Sequence, residues 1–244
     1  LIYILFEPAD SASSIPGDSS MLNELRGLHI DLETNHYVVG TDDSPPAPSY
    51  EGPYVVLRDA ILRDSSLGEL YNLEIYAGDV YIKNTSLECD LAPVFTYLST
   101  NDTVADVLTG ETWAQRVSQT VHLSEGEMVY FRTEVRVEAS TSAESQIVIE
   151  SIEEQLGTSS QSGTLRYNLD GHANLHVTGD LVILQSVLDG LNSSQIKSTA
   201  ISLSVSCFVL FVLTRRVVPA VAVLLPVAIA SLWVAGSMIV LGLK

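Results

Sequence analysis

The sequence predicts an α+β fold: a split β-α-β sandwich carrying an insertion (residues 1–197), followed by a transmembrane helical hairpin (residues 198–244). Three observations predict it. Apolar residues alternate strictly over Val129 to Val137; they recur at helical spacing between a capping box at Thr141 and a glycine at position 157; and two uncharged runs, 198–214 and 217–243, are interrupted only by Arg215-Arg216. Charge divides the 244 residues in the same way. All 30 carboxylates lie at or before Asp189, so residues 1–196 hold 8 basic side chains and a net charge of −22, whereas the rest of the chain carries only Lys197, Arg215, Arg216 and Lys244. Such a balance excludes an electrostatic nucleic-acid binder and implies two solvents, water for the acidic part and hydrocarbon for the tail. The acidic surface would suit high-salt surroundings.

The opening Leu1-Ile2-Tyr3-Ile4-Leu5-Phe6 is too short to cross a bilayer or to form a complete signal peptide, and reads as the stump of a truncated helix or as a strand. An extended stretch is expected from His29 to Gly40, a Pro-rich connection from Ser44 to Pro48, a helix from about Tyr54 to Leu70 and a strand from Leu73 to Ile82. The stretch from Thr85 to Glu127 fits no β-α-β frame. Its helix-like turns, at Val104 to Leu108 and Trp113 to Val117, mark an inserted or capping element.

Order returns at Val129, where Val129, Phe131, Thr133, Val135 and Val137 form the buried side of a strand. Thr141-Ser142-Ala143-Glu144 then caps a helix that presents Val148, Ile149, Ile152 and Leu156 until Gly157 ends it. After a polar loop a strand with Leu165, Tyr167 and Leu169 is expected, broken at Asp170-Gly171 and resuming with Ala173, Leu175 and Val177. Beyond Thr178-Gly179-Asp180, Leu181, Leu184, Leu188 and Leu191 line an amphipathic helix. No Gly or Pro interrupts Leu191 to Leu213, so this helix should continue into the first membrane span without a linker.

At 1.5 Å per residue the two uncharged runs span roughly 26 and 40 Å, so the first needs its flanking turn near Ile196 to cross, and the second can tilt or kink, with Pro219 and Pro226 as kink sites. A short, doubly basic connection favours the cytoplasm for Arg215-Arg216 and places the acidic domain outside. Three Asn-x-Ser/Thr sequons, at Asn84, Asn101 and Asn192, agree with that side. Ser198, Ser202 and Ser206 recur at i, i+4 and i+8 in the first span, and Ala228, Ser231, Ala235 and Gly242 lie on one stripe of the second. Small side chains at these spacings predict close helix packing. Neither span contains an ionisable side chain, so no proton or ion relay is visible in them.

Nothing in the acidic part predicts catalysis. His172 and His176 fall on an expected strand, which would hold them about 13 Å apart, too far to share a metal. Glu88/Asp90, Asp42-Asp43 and Glu125/Glu127 lack the pattern of a calcium loop. Gly157-Thr158-Ser159-Ser160 lacks the second glycine of a nucleophile elbow, and no phosphate-binding glycine motif occurs, so neither enzyme nor cofactor is expected. Cys89 and Cys207 lie on opposite sides of the water–hydrocarbon division and cannot form a disulfide framework. Trp113 reads as a core aromatic and Trp233 as a bilayer anchor.

The C-terminal third carries a resemblance. Val177-Thr178-Gly179-Asp180, Ser194-Gln195 with Ser198, Arg215-Arg216, Leu225-Pro226-Val227, Trp233 and Gly236-Ser237-Met238 together resemble the resistance-nodulation-division superfamily, closest to its MMPL-type, hydrophobe-efflux-like predicted exporters of archaea and bacteria. The resemblance covers about Val129 to Lys244. It implies a ferredoxin-like porter domain outside the cell membrane, in a multi-pass parent with further transmembrane helices and a second porter domain. A proton or sodium gradient would drive export of lipids or other hydrophobic or amphiphilic molecules. The coupling carboxylates would lie one helix beyond this chain. A protein-translocation accessory of the same superfamily and a membrane-anchored extracellular sensor are the competing expectations.

Overall fold

A computed structural model describes residues 1–9, 14–42, 49–107 and 109–215, with positions 222, 225, 226, 229, 230 and 233 beyond them. The expected Pro-rich connection at Ser44 to Pro48 lies outside the described residues. Contacts divide the chain into two units, residues 1–183 and 184–244.

The opening residues are a strand, β1 (Ile2–Pro8), and the centre of the main sheet. It pairs antiparallel on one side with residues 131–135 and on the other with residues 173–178, and every second residue, Ile2, Ile4 and Phe6, has no exposed surface. Each such side chain contributes about 2 kcal/mol by leaving water. After Asp18, whose carboxylate accepts from the Met21 N–H at 3.0 Å, comes α1 (Ser19–Thr34). The extended stretch expected from His29 is therefore corrected: residues 29–34 complete this helix, because Leu25, Leu28, His29 and Leu32 repeat at helical spacing and bury one face.

Past β2 (Tyr50–Glu51), the helix expected from Tyr54 to Leu70 is two helices, α2 (Pro53–Arg63) and α3 (Ser65–Leu70). Asp64 separates them. Its backbone is extended and its carboxylate accepts from the Ser66 N–H at 3.0 Å, so a local cap replaces the continuing helix. The single strand expected from Leu73 to Ile82 is likewise a hairpin of β3 (Leu73–Tyr76) and β4 (Asp79–Ile82). Ala77 and Gly78 turn it at φ 53° and 95°, the left-handed pair that matches strand twist in a two-residue turn.

The stretch from Thr85 to Glu127 contains α4 (Ala92–Ser99) and α5 (Trp113–Thr120), the latter opened by a Thr112/Gln115 capping box. No helix forms at 104–107, where Val104 bridges Thr112 instead, and Leu108 lies outside the described residues. The end of the stretch is not an insertion. It supplies an edge strand, β5 (Val121–Ser124), turned through Glu125-Gly126 at φ 55° and 85° onto β6 (Glu127–Val135). The Thr141/Glu144 box then caps α6 (Ser142–Leu156), as the sequence predicts.

Leu165–Asn168 is a helical turn, α7, in place of the expected strand. Leu165 and Leu169, four apart, are both buried while Tyr167 is exposed, so helical spacing decides the segment. Strand β7 (Ala173–Thr178) follows and leads through Gly179 into α8 (Asp180–Thr214).

The protein is thus α+β. The main sheet runs β7-β1-β6, with β5 and β2 paired to successive segments of the far edge of β6, and all of its pairings are antiparallel; β3 and β4 form a separate two-stranded sheet. Side chains from α1 and from Val148, Ile152 and Leu156 of α6 join Ile4, Phe6 and Phe131 in one core on one face. Asn35 and Gln155 link the two helices at 2.8 Å. The opposite face carries Tyr3, Leu5, Tyr130, Arg132 and His176, with the Arg132 guanidinium 4.9 Å from the Tyr3 ring and His122 stacked on Tyr130.

One helix among the described residues, Asp180–Leu213, is long and apolar enough to cross a membrane. Most of the second expected span lies outside the described residues, and the described positions within it are helical.

Gly157 ends α6 at φ 69°, and a Cβ there would come 2.3 Å from the Cβ of Thr164. Gly157→Ala should therefore lower the unfolding free energy by about 2–4 kcal/mol, read as a shift in denaturant midpoint. An unchanged midpoint would refute the proposed crowding.

Candidate functional site

Of the residues expected to pack helices, Ser198, Ser202 and Ser206 sit on α8 and are exposed. They lie beside Ile201, Val205 and Phe208, which are also exposed. A shallow groove along this side is lined by Gly190, Ser194, Lys197, Ser198, Ile201 and Ser202. The other four, Ala228, Ser231, Ala235 and Gly242, lie outside the described residues. Ser204 bonds back to the Ala200 carbonyl at 2.8 Å, the usual way a helix satisfies a hydroxyl away from water.

The acidic unit contains a cluster that the sequence reading missed. Helix α1 places His29 and Glu33 one turn apart, α2 does the same for Tyr54 and Arg58, and the β3–β4 hairpin brings Asp79 and Val80. The His29 ring lies between Tyr54 (centroids 4.8 Å apart) and Tyr50 (5.5 Å) and is almost wholly buried. Arg58 Nη1 is 2.7 Å from His29 Nε2. A guanidinium can only donate, so Nε2 accepts and the ring proton resides on Nδ1, which is buried without a partner.

Two carboxylates also approach Nε2, Glu33 at 3.3 Å and Asp79 at 3.9 Å, and would pair with a charged imidazolium. Burial and the neighbouring Arg58 charge outweigh Asp79 and hold the His29 pKa down to about 4. The imidazole is therefore neutral at pH 7. Tyr54 completes the cluster by donating to Asp79 at 3.1 Å and accepting from the Val80 N–H at 2.9 Å; burial pushes its pKa well above the ordinary phenol value.

A second polar cluster adjoins the first through Asp59, which lies 3.8 Å from Arg58. Arg116, from α5, donates to both oxygens of Glu51 at 2.9 and 3.0 Å and to Asp59 at 3.0 Å, with its guanidinium 5.5 Å from the Trp113 ring. Burial pushes the Glu51 carboxyl up against the opposing pull of Arg116. Both clusters fasten elements together, and neither presents an activated nucleophile.

Among the described residues no group of three or more His, Cys, Asp or Glu side chains is arranged to hold a metal ion. His176 is exposed on β7 with Glu7 at 3.7 Å, and His172 precedes that strand. Gly157 is the C-cap of α6, so Thr158, Ser159 and Ser160 begin a loop. Cys89 is half-buried and its thiol is pushed up to about 11, first by burial and then by Asp90 and Asp18. The sequence signal for the His29 cluster is the i, i+4 spacing of His29 and Glu33, which places both on one face only in a helix.

Comparison of the chain with models of protein families, with characterised proteins and with solved structures gave no match in any of the three.

The neutral, buried His29 fixes the sign of a pH effect. Its folded pKa, about 4, lies below the ordinary 6.5, so between these values the unfolded chain takes up a proton that the folded chain refuses. Stability conferred by the neutral ring is complete above pH 6.5 and falls by on the order of 3 kcal/mol as the pH drops to about 4. Glu24, Asp31 and Glu51, which burial raises, act with the opposite sign, so comparison with a variant isolates the histidine. Denaturant unfolding of His29→Gln, whose amide can still accept from Arg58, should lack this component. Parallel pH curves for the two proteins would contradict a neutral buried His29.

Proposed function

We propose that this chain is a segment of an integral-membrane secondary transporter resembling the MMPL-type exporters of the resistance-nodulation-division superfamily. Residues 1–197 form its extracytosolic porter-like domain and residues 198–244 form two membrane helices joined by a cytoplasmic Arg-Arg turn. The parent moves lipids or other amphiphiles out of the cell, driven by a proton or sodium gradient. Its partners are membrane lipids, the substrate, the remaining helices and a second porter domain.

The observation that carries this reading is the join after the last strand: Thr178-Gly179 closes β7 and α8 continues without a break from Asp180 to Thr214. Support also comes from the strand order. Taken as β1, β5, β6 and β7, the four principal strands follow the spatial order 4-1-3-2 of a ferredoxin-like split β-α-β fold, with α6 in the second crossover and helices including α1 in the first. A sensor would need an anchor alone, whereas the small-residue repeat at Ser198, Ser202 and Ser206 suits packing against further helices.

Orientation is the first test. In a parent whose Cys89 and Cys207 are replaced by Ser, Ser162→Cys should react with an impermeant thiol reagent from outside intact cells, and Val217→Cys should be protected. The reverse pattern overturns the orientation and the export reading with it.

Coupling is the second. No side chain from Ser198 to Thr214 or from Val217 to Leu243 is ionisable, so the reconstituted 244-residue chain should carry no gradient-driven flux. The parent should lose its flux when the intramembrane Asp or Glu downstream becomes Asn or Gln. Flux by the short chain alone would place the coupling site elsewhere and refute this assignment.

A further inference from the structure

The three sequons have the same sequence pattern but occupy different backbone settings. Asn101 follows α4 in a turn where its Oδ1 accepts from both the Thr103 N–H, at 3.0 Å, and the Thr103 hydroxyl, at 2.7 Å. Asn84 follows β4, and its Oδ1 accepts from the Ser86 N–H at 3.0 Å. The backbone of Asn84 is pinned in place, its N–H donating to Asn72 Oδ1 and its carbonyl accepting from Asn72 Nδ2, both at 2.9 Å. Asn192 lies within α8, where positions 192 and 194 are separated by about 200° around the helix axis.

We infer that Asn84 and Asn101 are N-glycan acceptors and that Asn192 is not. The inference rests on the extracytosolic placement of residues 1–197 proposed above. Transfer requires the Asn amide nitrogen to reach a donor while the hydroxyl two residues on stands close to the same amide. The Asn101 turn meets that requirement through the Thr103 hydroxyl, and the Asn84 turn holds the Ser86 backbone N–H against the corresponding amide. Their hydrogen bonds engage the amide oxygen, and among the described contacts neither Nδ2 is used. The helix does not, because it puts residue 194 on the opposite side from residue 192.

Access separates the sites in the same way. Asn84 is exposed in a run, residues 83–88, that is exposed throughout. Asn101 is half-buried, but it lines a cleft of about 140 Å³ with Arg63, Asp64, Tyr97, Thr103 and Trp113. That volume is well below the roughly 300 Å³ of a drug-sized pocket and leaves space beside the amide for a single ring. Tyr97, 44% exposed, lines the same cleft. By contrast, position 192 lies six residues before the uncharged run that begins at Ser198.

The chemistry is a group transfer from a polyprenyl-phosphate- or polyprenyl-diphosphate-linked oligosaccharide, catalysed by a membrane oligosaccharyltransferase. The amide nitrogen Nδ2 attacks the anomeric carbon of the donor. An N–C1 bond forms as the C1–O bond to phosphate breaks, the polyprenyl phosphate leaves with the bonding pair, and one amide proton passes to a base on the transferase. No oxidant or reductant is needed.

Glycopeptide mass spectrometry of the full parent from its own membranes tests this. Glycan mass is expected on the peptides holding Asn84 and Asn101 and not on the peptide holding Asn192. Asn84→Gln and Asn101→Gln should each remove one glycan. Thr103→Ala should remove the glycan at Asn101 and Thr103→Ser should retain it, which separates loss of the acceptor from loss of the fold. Unmodified Asn84 and Asn101 in a protein whose Ser162→Cys variant labels from outside would overturn the inference and leave the orientation intact. Unmodified sites together with labelling from inside would overturn both. Glycan on Asn192 would refute the selection by backbone setting.

Discussion

A shortage of positive charge governs how the acidic domain is held together. Eight basic side chains precede Lys197, against 30 carboxylates, and seven of the eight have a described partner. Arg116 joins β2, α2 and α5 through Glu51 and Asp59. Arg58 joins α2 to α1 through His29, and Arg63 joins α2 to the carbonyls of Val104 and Ala105. Arg132 links β6 to the Gln119 carbonyl and to Tyr3 of β1, Arg166 links α7 to Glu153 and Gly157, Arg26 lies over Tyr81, and Lys83 pairs with Glu69. The guanidinium suits this work because its planar fork can hold two elements at once and keeps its charge when partly buried. The carboxylates outnumber these cations nearly four to one, and the excess acts as a repelling outer layer.

Burial and the nearby Arg58 charge explain why the inner polar cluster is organised around a neutral ring. A two-stranded hairpin is marginal by itself, and β3–β4 is outside the main sheet. It is secured through Tyr54, whose hydroxyl accepts from the Val80 N–H and donates a hydrogen bond to the Asp79 carboxylate. With Arg58 already serving as the local cation, a second positive charge on His29 would be buried beside it, and the imidazole is held instead as an acceptor and an aromatic wall. The cluster is an adaptation of packing to electrostatics.

How much of this was legible in the sequence depended on whether the signal was local. The α+β class, β6, α6 with its Thr141/Glu144 box and the long helix from Asp180 were each written in a capping pair or a clear period. Helix α1 was not, because its apolar face is shared with a histidine. The β3–β4 hairpin was hidden by Ala77, a residue that seldom adopts positive φ, and α7 by an apolar pattern that fits strand and helix equally. Of the clusters, only the i, i+4 pair of His29 and Glu33 is local. His29 meets Arg58 across 29 residues and Glu51 meets Arg116 across 65, separations that no periodicity reports. The serine repeat on α8 was legible as a stripe, and its expected partners lie outside the described residues.

The central place of β1 has a consequence for how the protein is made. Ile2, Ile4 and Phe6 are made well before the strands that cover both edges of β1, which end at Val135 and Thr178. Closing loops of that length is slow, and an unpaired apolar strand invites wrong partners in the interval. The sheet is completed only when Thr178 has emerged, immediately before Asp180 begins α8. Completion of the sheet and emergence of the long apolar helix that follows it therefore fall close together in synthesis. Until then the growing chain must be kept unfolded or shielded, and newly made β1 is the segment most dependent on that protection.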